Sequence, residues 1–385
     1  MIVRQFLQWV GHAAPADRAE ATAALARSYL HAEFSDEEQV AAEDAMLLAL
    51  DDPSPLVRAA LAEVLASSYD APPGIVQALA SDQANIAAIV LARSPLLLDV
   101  DLVDLTGAGN AATQSAIASR DYLPCSIAAA MAEVGEAEAC LVMLENRTAE
   151  IAPFSFDRLV ERFGHLAAIR EAMLARRELP ISTRQTLLAK LSRSLAGFAS
   201  ANALMDGGRA HRASREACER VTVALAAVTP EEDVRGLVSH LRVTGQLTAG
   251  LILRALLSGN IVMFEEALCE LSELPPARVA HLLHDPSGKG LRALFAKSEL
   301  PPSTVQAAWA ALSVGAEYGF AYDHASAAHL DRRMVERTLT YCETLGTDEV
   351  SDALLVLLRR FALEAAREDA RLHREEATYG ALEAA

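Results

Sequence analysis

The strongest constraint on this chain is a phrase that it repeats. Ala267-Leu268-Cys269-Glu270-Leu271-Ser272-Glu273-Leu274-Pro275-Pro276 returns 26 residues later as Ala293-Leu294-Phe295-Ala296-Lys297-Ser298-Glu299-Leu300-Pro301-Pro302. Looser copies run from Ala172 to Pro180 and from Ala116 to Pro124. In each, an apolar run ends, Leu-Pro follows, and a new apolar run begins. Proline has no N–H to give a helix and pushes the residue before it out of the helical region. Each copy therefore predicts helix, stop, helix. A fixed step in this range belongs to stacked helical pairs, in which each unit buries its apolar face only against its neighbours.

The first half keeps the same step. Leu61, Val90, Ile117, Met143 and Met173 take matching places, separated by 29, 27, 26 and 30 residues. Partner helices are expected after Pro72-Pro73, Pro95, Pro124, Pro153 and Pro180, and glycines at 107, 109, 135 and 164 suit helix ends. Helices of about ten residues are unstable alone, so stacking must hold them. No run alternates with β-branched residues as a strand does. Alanine and leucine, both helix-favouring, dominate the apolar 52%. The fold class is thus all-α: an α-solenoid of helical pairs in two subarrays with a longer C-terminal helical cap. Residues 203–215 have little apolar content and the pair Gly207-Gly208, which reads as a hinge or loop. The expected organisation is a first array over 1–202, the hinge at 203–215, a second array over 216–330 and capping helices over 331–385. The last helix, Glu349 to Glu376, passes from Leu354–Leu358 into a charged stretch from Arg359. Its apolar start should dock on the array, and its solvated end offers a homodimer contact.

Charge and targeting bound the partners. The formal charge is −18, which repels phosphate backbones and acidic membranes, so neither nucleic acid nor a membrane is expected. No apolar run reaches the ~18–20 residues that span a bilayer. Met1 to Val10 lacks the basic start and cleavage site of a signal peptide and reads as a first helix packed on the array. Cys125, Cys140, Cys218, Cys269 and Cys342 are scattered without metal-ligand spacing, which suits a reducing, cytoplasmic setting.

The run Asp52-Pro53-Ser54-Pro55-Leu56-Val57-Arg58 looks like the second-helix signature of HEAT repeats. Together with Val90–Leu97, Ala116–Arg120 and Leu144-Glu145-Asn146, it resembles a family of uncharacterised alphaproteobacterial proteins known only by a domain of unknown function with HEAT-like repeats. In the second half the resemblance is carried by Gln246-Leu247-Thr248, Leu253–Leu256, Phe264–Leu268, His281–Asp285 and Gly290–Leu294. It covers most of residues 45–315. The resemblance implies architecture and a bacterial cytoplasmic setting, and no activity.

Few residues form a constellation with chemistry. His281, His284 and Asp285 share a helix face and could offer ligands to a metal, but a site needs a further ligand. The alternative is that Asp285-Pro286 begins the next turn. Asp323, His324 and His329 beside Tyr322 fit no ligand spacing. Gly288-Lys289-Gly290 sits at a helix start without phosphate-loop spacing, and a plain turn suits it better. There is no Gly-x-Ser-x-Gly, and no His-Glu pair of the kind used by HEAT-like di-iron hydroxylases. No metal and no cofactor is expected.

Basic residues are uneven. From 155 to 220 there are twelve Lys/Arg and seven Asp/Glu, a net +5, which leaves −23 for the remainder. Arg93, Arg120 and Arg176 stand three after Val90, Ile117 and Met173, so they should align along one ridge. They could bind helix ends and acids of neighbouring repeats, or grip an acidic peptide or a phosphate-bearing ligand. The function expected is a non-catalytic scaffold or adaptor that binds a partner protein through an acidic peptide segment, with Arg93, Arg120 and Arg176 as binding residues. The alternatives are a regulatory module for a small anionic ligand such as a nucleotide, and a DNA-binding enzyme similar to HEAT-like alkylpurine glycosylases.

Overall fold

The computed structural model describes residues 13–202, 204, 206–285, 287–320, 326–345 and 350–383. Among them are 21 α-helices, one 3-10 turn at Ser326–Ala328 and no strand; Leu123 and Ala149 form an isolated bridge. The expected first helix at Met1–Val10 lies outside the described residues. No helix among the described residues is long and apolar enough to cross a membrane. The chain divides into two compact units, Met1–Pro180 and Ile181–Ala385.

The first unit holds α1 (Pro15–His31), α2 (Asp36–Leu50), α3 (Pro55–Leu65), α4 (Pro73–Ala80), α5 (Ala84–Arg93), α6 (Asp99–Ala108), α7 (Ala111–Ala118), α8 (Cys125–Val134), α9 (Ala137–Glu145), α10 (Pro153–Phe163) and α11 (Ala167–Ala175). Odd-numbered helices pack one on the next from α1 to α11, forming one row. In a second row α2 packs on α4, α6 on α8 and α8 on α10. This is solenoid packing, and its core is the inner face of the odd row. Leu61, Val90, Ile117, Met143 and Met173, the residues matched by spacing, are all fully buried there. Helices this short persist because each buries its apolar stripe on two neighbours. Proline opens α3, α4 and α10, where a missing N–H costs nothing. Gly109, Gly135 and Gly164 close α6, α8 and α10, whereas Gly107 lies inside α6. A Cβ at Gly135 would stand 2.5 Å from the Met131 carbonyl, so glycine is there for close approach.

The second unit holds α12 (Ile181–Ala201), α13 (Gly207–Ala227), α14 (Glu231–Val243), α15 (Ala249–Leu257), α16 (Ile261–Ser272), α17 (Pro276–Leu283), α18 (Lys289–Lys297), α19 (Pro302–Tyr318), α20 (Arg332–Leu345) and α21 (Asp352–Glu383). Its centre is α15, buried at every residue from Leu251 to Leu257. The apolar start of α21 docks on this core through Leu354, Leu358, Phe361 and Ala365. The repeat phrase keeps its geometry: Glu273 and Glu299 hold the same place in the two strict copies, and both are left-handed at φ 55° and 54°.

One expectation is corrected. Residues 207–215 are helix, not hinge. The Asp206 carboxylate accepts the backbone N–H groups of Gly208 and Arg209, so the glycine pair occupies a capped first turn, where its weak helix propensity matters least. The two compact units meet at Pro180/Ile181 instead, because α12 packs along α13 and belongs with the second unit.

Candidate functional site

Of the three arginines expected on a binding ridge, Arg120 and Arg176 aim their donors into the array. Arg120 donates from Nη1 to the Leu91 carbonyl (2.6 Å) and from Nη2 to that of Ser94 (2.7 Å), at the end of α5. Arg176 is 7% exposed and reaches the end of α9, donating to the carbonyls of Leu144 (3.2 Å), Asn146 (2.6 Å) and Ala149 (2.7 Å) while pairing with Glu178. The last carbonyls of a helix lack partners within it and carry partial negative charge, so a guanidinium fork suits them. Arg162 serves α8 in the same way, at the carbonyls of Ala132 and Gly135 (2.7 Å each), and the Asn146 amide serves α7 at Ala118 (2.9 Å). Arg93 differs. It is half exposed and pairs at 2.8 Å with the Glu63 side chain. Arg120 and Arg176 are thus committed to neighbouring repeats, and the three form no common ridge free to grip an acidic peptide.

These contacts stack the loops between the two rows. Loop 94–98 lies under the Arg120 fork, Glu150 N–H donates to the Leu123 carbonyl (2.9 Å), and the Ser126 hydroxyl lies 3.4 Å from Asp99. The resulting edge carries large apolar side chains in successive repeats. Leu98 and Val100, then Tyr122, then Phe154 are each more than half exposed. A lone exposed apolar residue is ordinary, but a row at corresponding ends of stacked repeats is not. Acids stand between them: Asp99 and Asp121 act on Arg120, whose pKa burial holds below its ordinary value against their pull, and Glu150, with burial and then Asp99, raises that of Tyr122. Sequence reasoning missed this edge. Its signal was faint, an apolar residue within two positions of the proline or cap that opens each even helix.

The second unit contains a cavity of about 600 Å³ between α12, α13 and the turn joining α14 to α15. The turn is built by two helix ends back to back. At the end of α14, Gly245 is left-handed (φ 69°) and Gln246 N–H donates to the Leu241 carbonyl (2.8 Å), a Schellman closure. Thr248 then caps α15 by accepting the Leu251 N–H (3.1 Å). Gln246 is held from behind by the buried Gln185 amide (2.8 Å) and donates to Thr244 Oγ1 (3.1 Å). Arg193, His211, Arg215, Cys218 and Glu219 line the helical side. Burial pushes the Cys218 thiol and the Glu219 carboxyl above their ordinary values, for Glu219 against the charges of Arg254 and Arg215. Arg193 and Arg215 belong to the basic window at 155–220, whereas His211, Cys218, Glu219 and Gln246 carried no local signal for a cavity.

The remaining motifs are structural. Asp285 accepts from Ser287 N–H (3.0 Å), Ser287 Oγ (2.8 Å) and Gly290 N–H (2.8 Å), which organises the entry to α18, and His284 Nδ1 lies 2.8 Å from the Ala280 carbonyl. No group of three or more His, Cys, Asp or Glu among the described residues is placed to hold a metal. Gly288 is the left-handed residue before α18 (φ 68°), where a Cβ would meet Trp309 at 3.3 Å. Tyr322, Asp323 and His324 lie outside the described residues, and His329 Nδ1 stands 3.8 Å from Glu368.

A family model described as "uncharacterised protein conserved in bacteria" matches residues 86–348, a span that takes in both the apolar edge from Leu98 to Phe154 and the cavity. No curated protein and no solved structure matches the chain.

Proposed function

The chain belongs to the DUF2336 family of uncharacterised proteins conserved in bacteria, and on its geometry we propose that it is a non-catalytic, cytoplasmic interaction scaffold. The partner lies along the stacked-loop edge of the first unit. The observation that carries this reading is the exposure of Leu98, Val100, Tyr122 and Phe154 at corresponding ends of successive repeats. Exposed apolar side chains in register offer anchors for an extended or helical segment, and desolvating such anchors supplies most of the affinity of an interface. The intervening acids Asp99, Asp101, Asp121 and Glu150 select a segment that is basic as well as apolar. That replaces the acidic peptide expected from the arginine pattern, because Arg120 and Arg176 are spent inside the array.

Affinity capture from lysate, comparing wild type with Val100→Ser/Tyr122→Ser/Phe154→Ser, tests the reading. The substituted side chains are exposed, so stability should change little. A partner captured by wild type and lost from the triple variant is the expected result. Capture unchanged by the triple variant, or no specific partner of wild type, refutes the edge as the binding surface.

A further inference from the structure

We propose that the cavity of the second unit binds a small organic anion, with its carboxylate, sulfonate or phosphate head at Arg193 and Arg215 and an apolar body against Leu241 and Leu251. The inference stands on the second unit alone and does not depend on the scaffold reading. Its volume, about 600 Å³, lies within the range of small-molecule sites. Its floor and walls are largely apolar or hydroxyl-bearing, and the cations come from two different helices.

Those cations are under-used within the protein. Arg193 makes no ion pair among the described residues; its Nε lies 3.4 Å from the Ala189 carbonyl one turn back. Arg215 is 68% exposed and stands 4.0 Å from Glu219. His211 has no hydrogen bond or ion pair among the described residues, and it lines the same side. This is the reverse of Arg120 and Arg176, whose forks are filled by carbonyls. Glu219 is the one acid lining the cavity, and it is turned toward Thr248 at 3.4 Å. The lining thus has an excess of positive charge in a chain of net −18. A guanidinium pair at the mouth of an apolar recess fits an amphipathic anion, since the head keeps charge-assisted contacts and some water while the body is desolvated. No Phe, Tyr or Trp lines the cavity, so the imidazole of His211 is all that it offers a nucleobase to stack on.

The opposite wall is pre-organised. Gln246 cannot swing freely, because Gln185 holds it from within the core and Thr244 from the turn. Gln185 is itself buried, so its hold on Gln246 comes from the core.

The test uses two fluorescent probes on the full chain: anilinonaphthalene sulfonate, an apolar anion, and phenylnaphthylamine, its neutral counterpart. Folding of each variant is checked by helical circular dichroism and by slow labelling of the buried Cys342. We expect saturable binding of one sulfonate probe per chain. Arg193→Gln/Arg215→Gln should weaken it by at least about tenfold and leave the neutral probe unchanged, since two charge-assisted contacts are removed. Ser214→Trp, which places an indole on the cavity wall, should abolish both; Thr244→Trp, on the α14–α15 turn, does the same if Ser214→Trp fails to fold. The proposal is overturned if the sulfonate shows no saturable binding, if the double variant binds it as well as wild type, or if the folded tryptophan variant still binds both probes.

Discussion

The two units close their helices by different means. In the first, the ends of α5, α7, α8 and α9 receive side chains from later in the chain, namely Arg120, Asn146, Arg162 and Arg176. In the second, the backbone closes several helices itself. Every residue of positive φ among those described lies there: Gly245, Gly259, Glu273, Gly288, Glu299 and Gly319. A left-handed closure satisfies the last carbonyls locally, whereas an arginine reaching back by about one repeat ties the stability of one unit cell to the next. The first unit should therefore behave as a nearest-neighbour array, and the second as a core with local punctuation. Two buried thiols allow each to be read separately. Burial pushes Cys140 in the first unit and Cys342 in the second up to about 11, so each reacts with a thiol reagent when its surroundings open.

The largest effect is expected where the second unit departs from local closure. Arg254 is 2% exposed, holds Glu364 through two hydrogen bonds (2.7 and 3.0 Å), and lies 4.5 Å from the centre of the Phe361 ring. Arg254→Ala opens a cavity beside Phe361 and leaves Glu364 with Arg220 (3.0 Å) as its close partner, and should cost about 3 kcal/mol. Labelling of Cys342 should accelerate while that of Cys140 does not, and equal acceleration of both would show one cooperative body instead. Protonation tests the same pair. Burial opposes the charge of Glu364, but the hydrogen bonds and charge of Arg254, with Arg220 and Arg360 nearby, outweigh it and hold its pKa below the ordinary value. A depressed carboxylate stabilises the fold above its unfolded pKa, and that stability is lost as pH falls through the folded one. Cys342 labelling, measured by a reagent competent in acid, should therefore rise as pH drops below about 4. Glu364→Gln should flatten that rise.

Next in size is Arg176→Ala. It strips three carbonyls of a charged donor in a buried site, and should cost about 2–3 kcal/mol. Here Cys140, on the capped helix α9, should be the thiol that responds. No change in Cys140 labelling would mean that the fork is decoration and that apolar stacking alone holds the repeats.

How far these differences could be read in advance depends on the reach of the interaction. The buried series from Leu61 to Met173 was legible, because a stripe at fixed spacing is written in one dimension. So was the equivalence of Arg93, Arg120 and Arg176. The direction in which each guanidinium points was not, since it depends on whether carbonyls of an earlier repeat come within reach. Gly207-Gly208 misled because the cost of glycine in a helix is small at a terminus, and Asp206 supplies the cap. The cavity lay beyond local reading altogether, for its walls come from two 21-residue helices and a turn that begins at Thr244, beyond a further helix.

A smaller and opposite effect is expected at Glu299. It is left-handed because Leu300 N–H must reach the Phe295 carbonyl (3.1 Å) to close α18. Glycine takes that conformation without Cβ strain, so Glu299→Gly should stabilise the second unit by up to about 1 kcal/mol. Thermal unfolding monitored at the second unit checks the sign, and a loss would mean that Glu299 makes a contact worth more than its strain.

The smallest effect should come from Arg93, and its smallness matters most to the comparison. Arg93 holds the repeat position of Arg120 and Arg176, so spacing alone assigns it equal weight. Yet its partner is a side chain, Glu63, and both are more than half exposed. An exposed pair of this kind gains little, because water and salt screen it and two flexible chains must be ordered. Arg93→Ala should change stability by less than about 0.5 kcal/mol and leave Cys140 labelling at the wild-type rate. Should it cost as much as Arg176→Ala, the carbonyl fork is not what couples the repeats, and surface charge along the row would have to take its place.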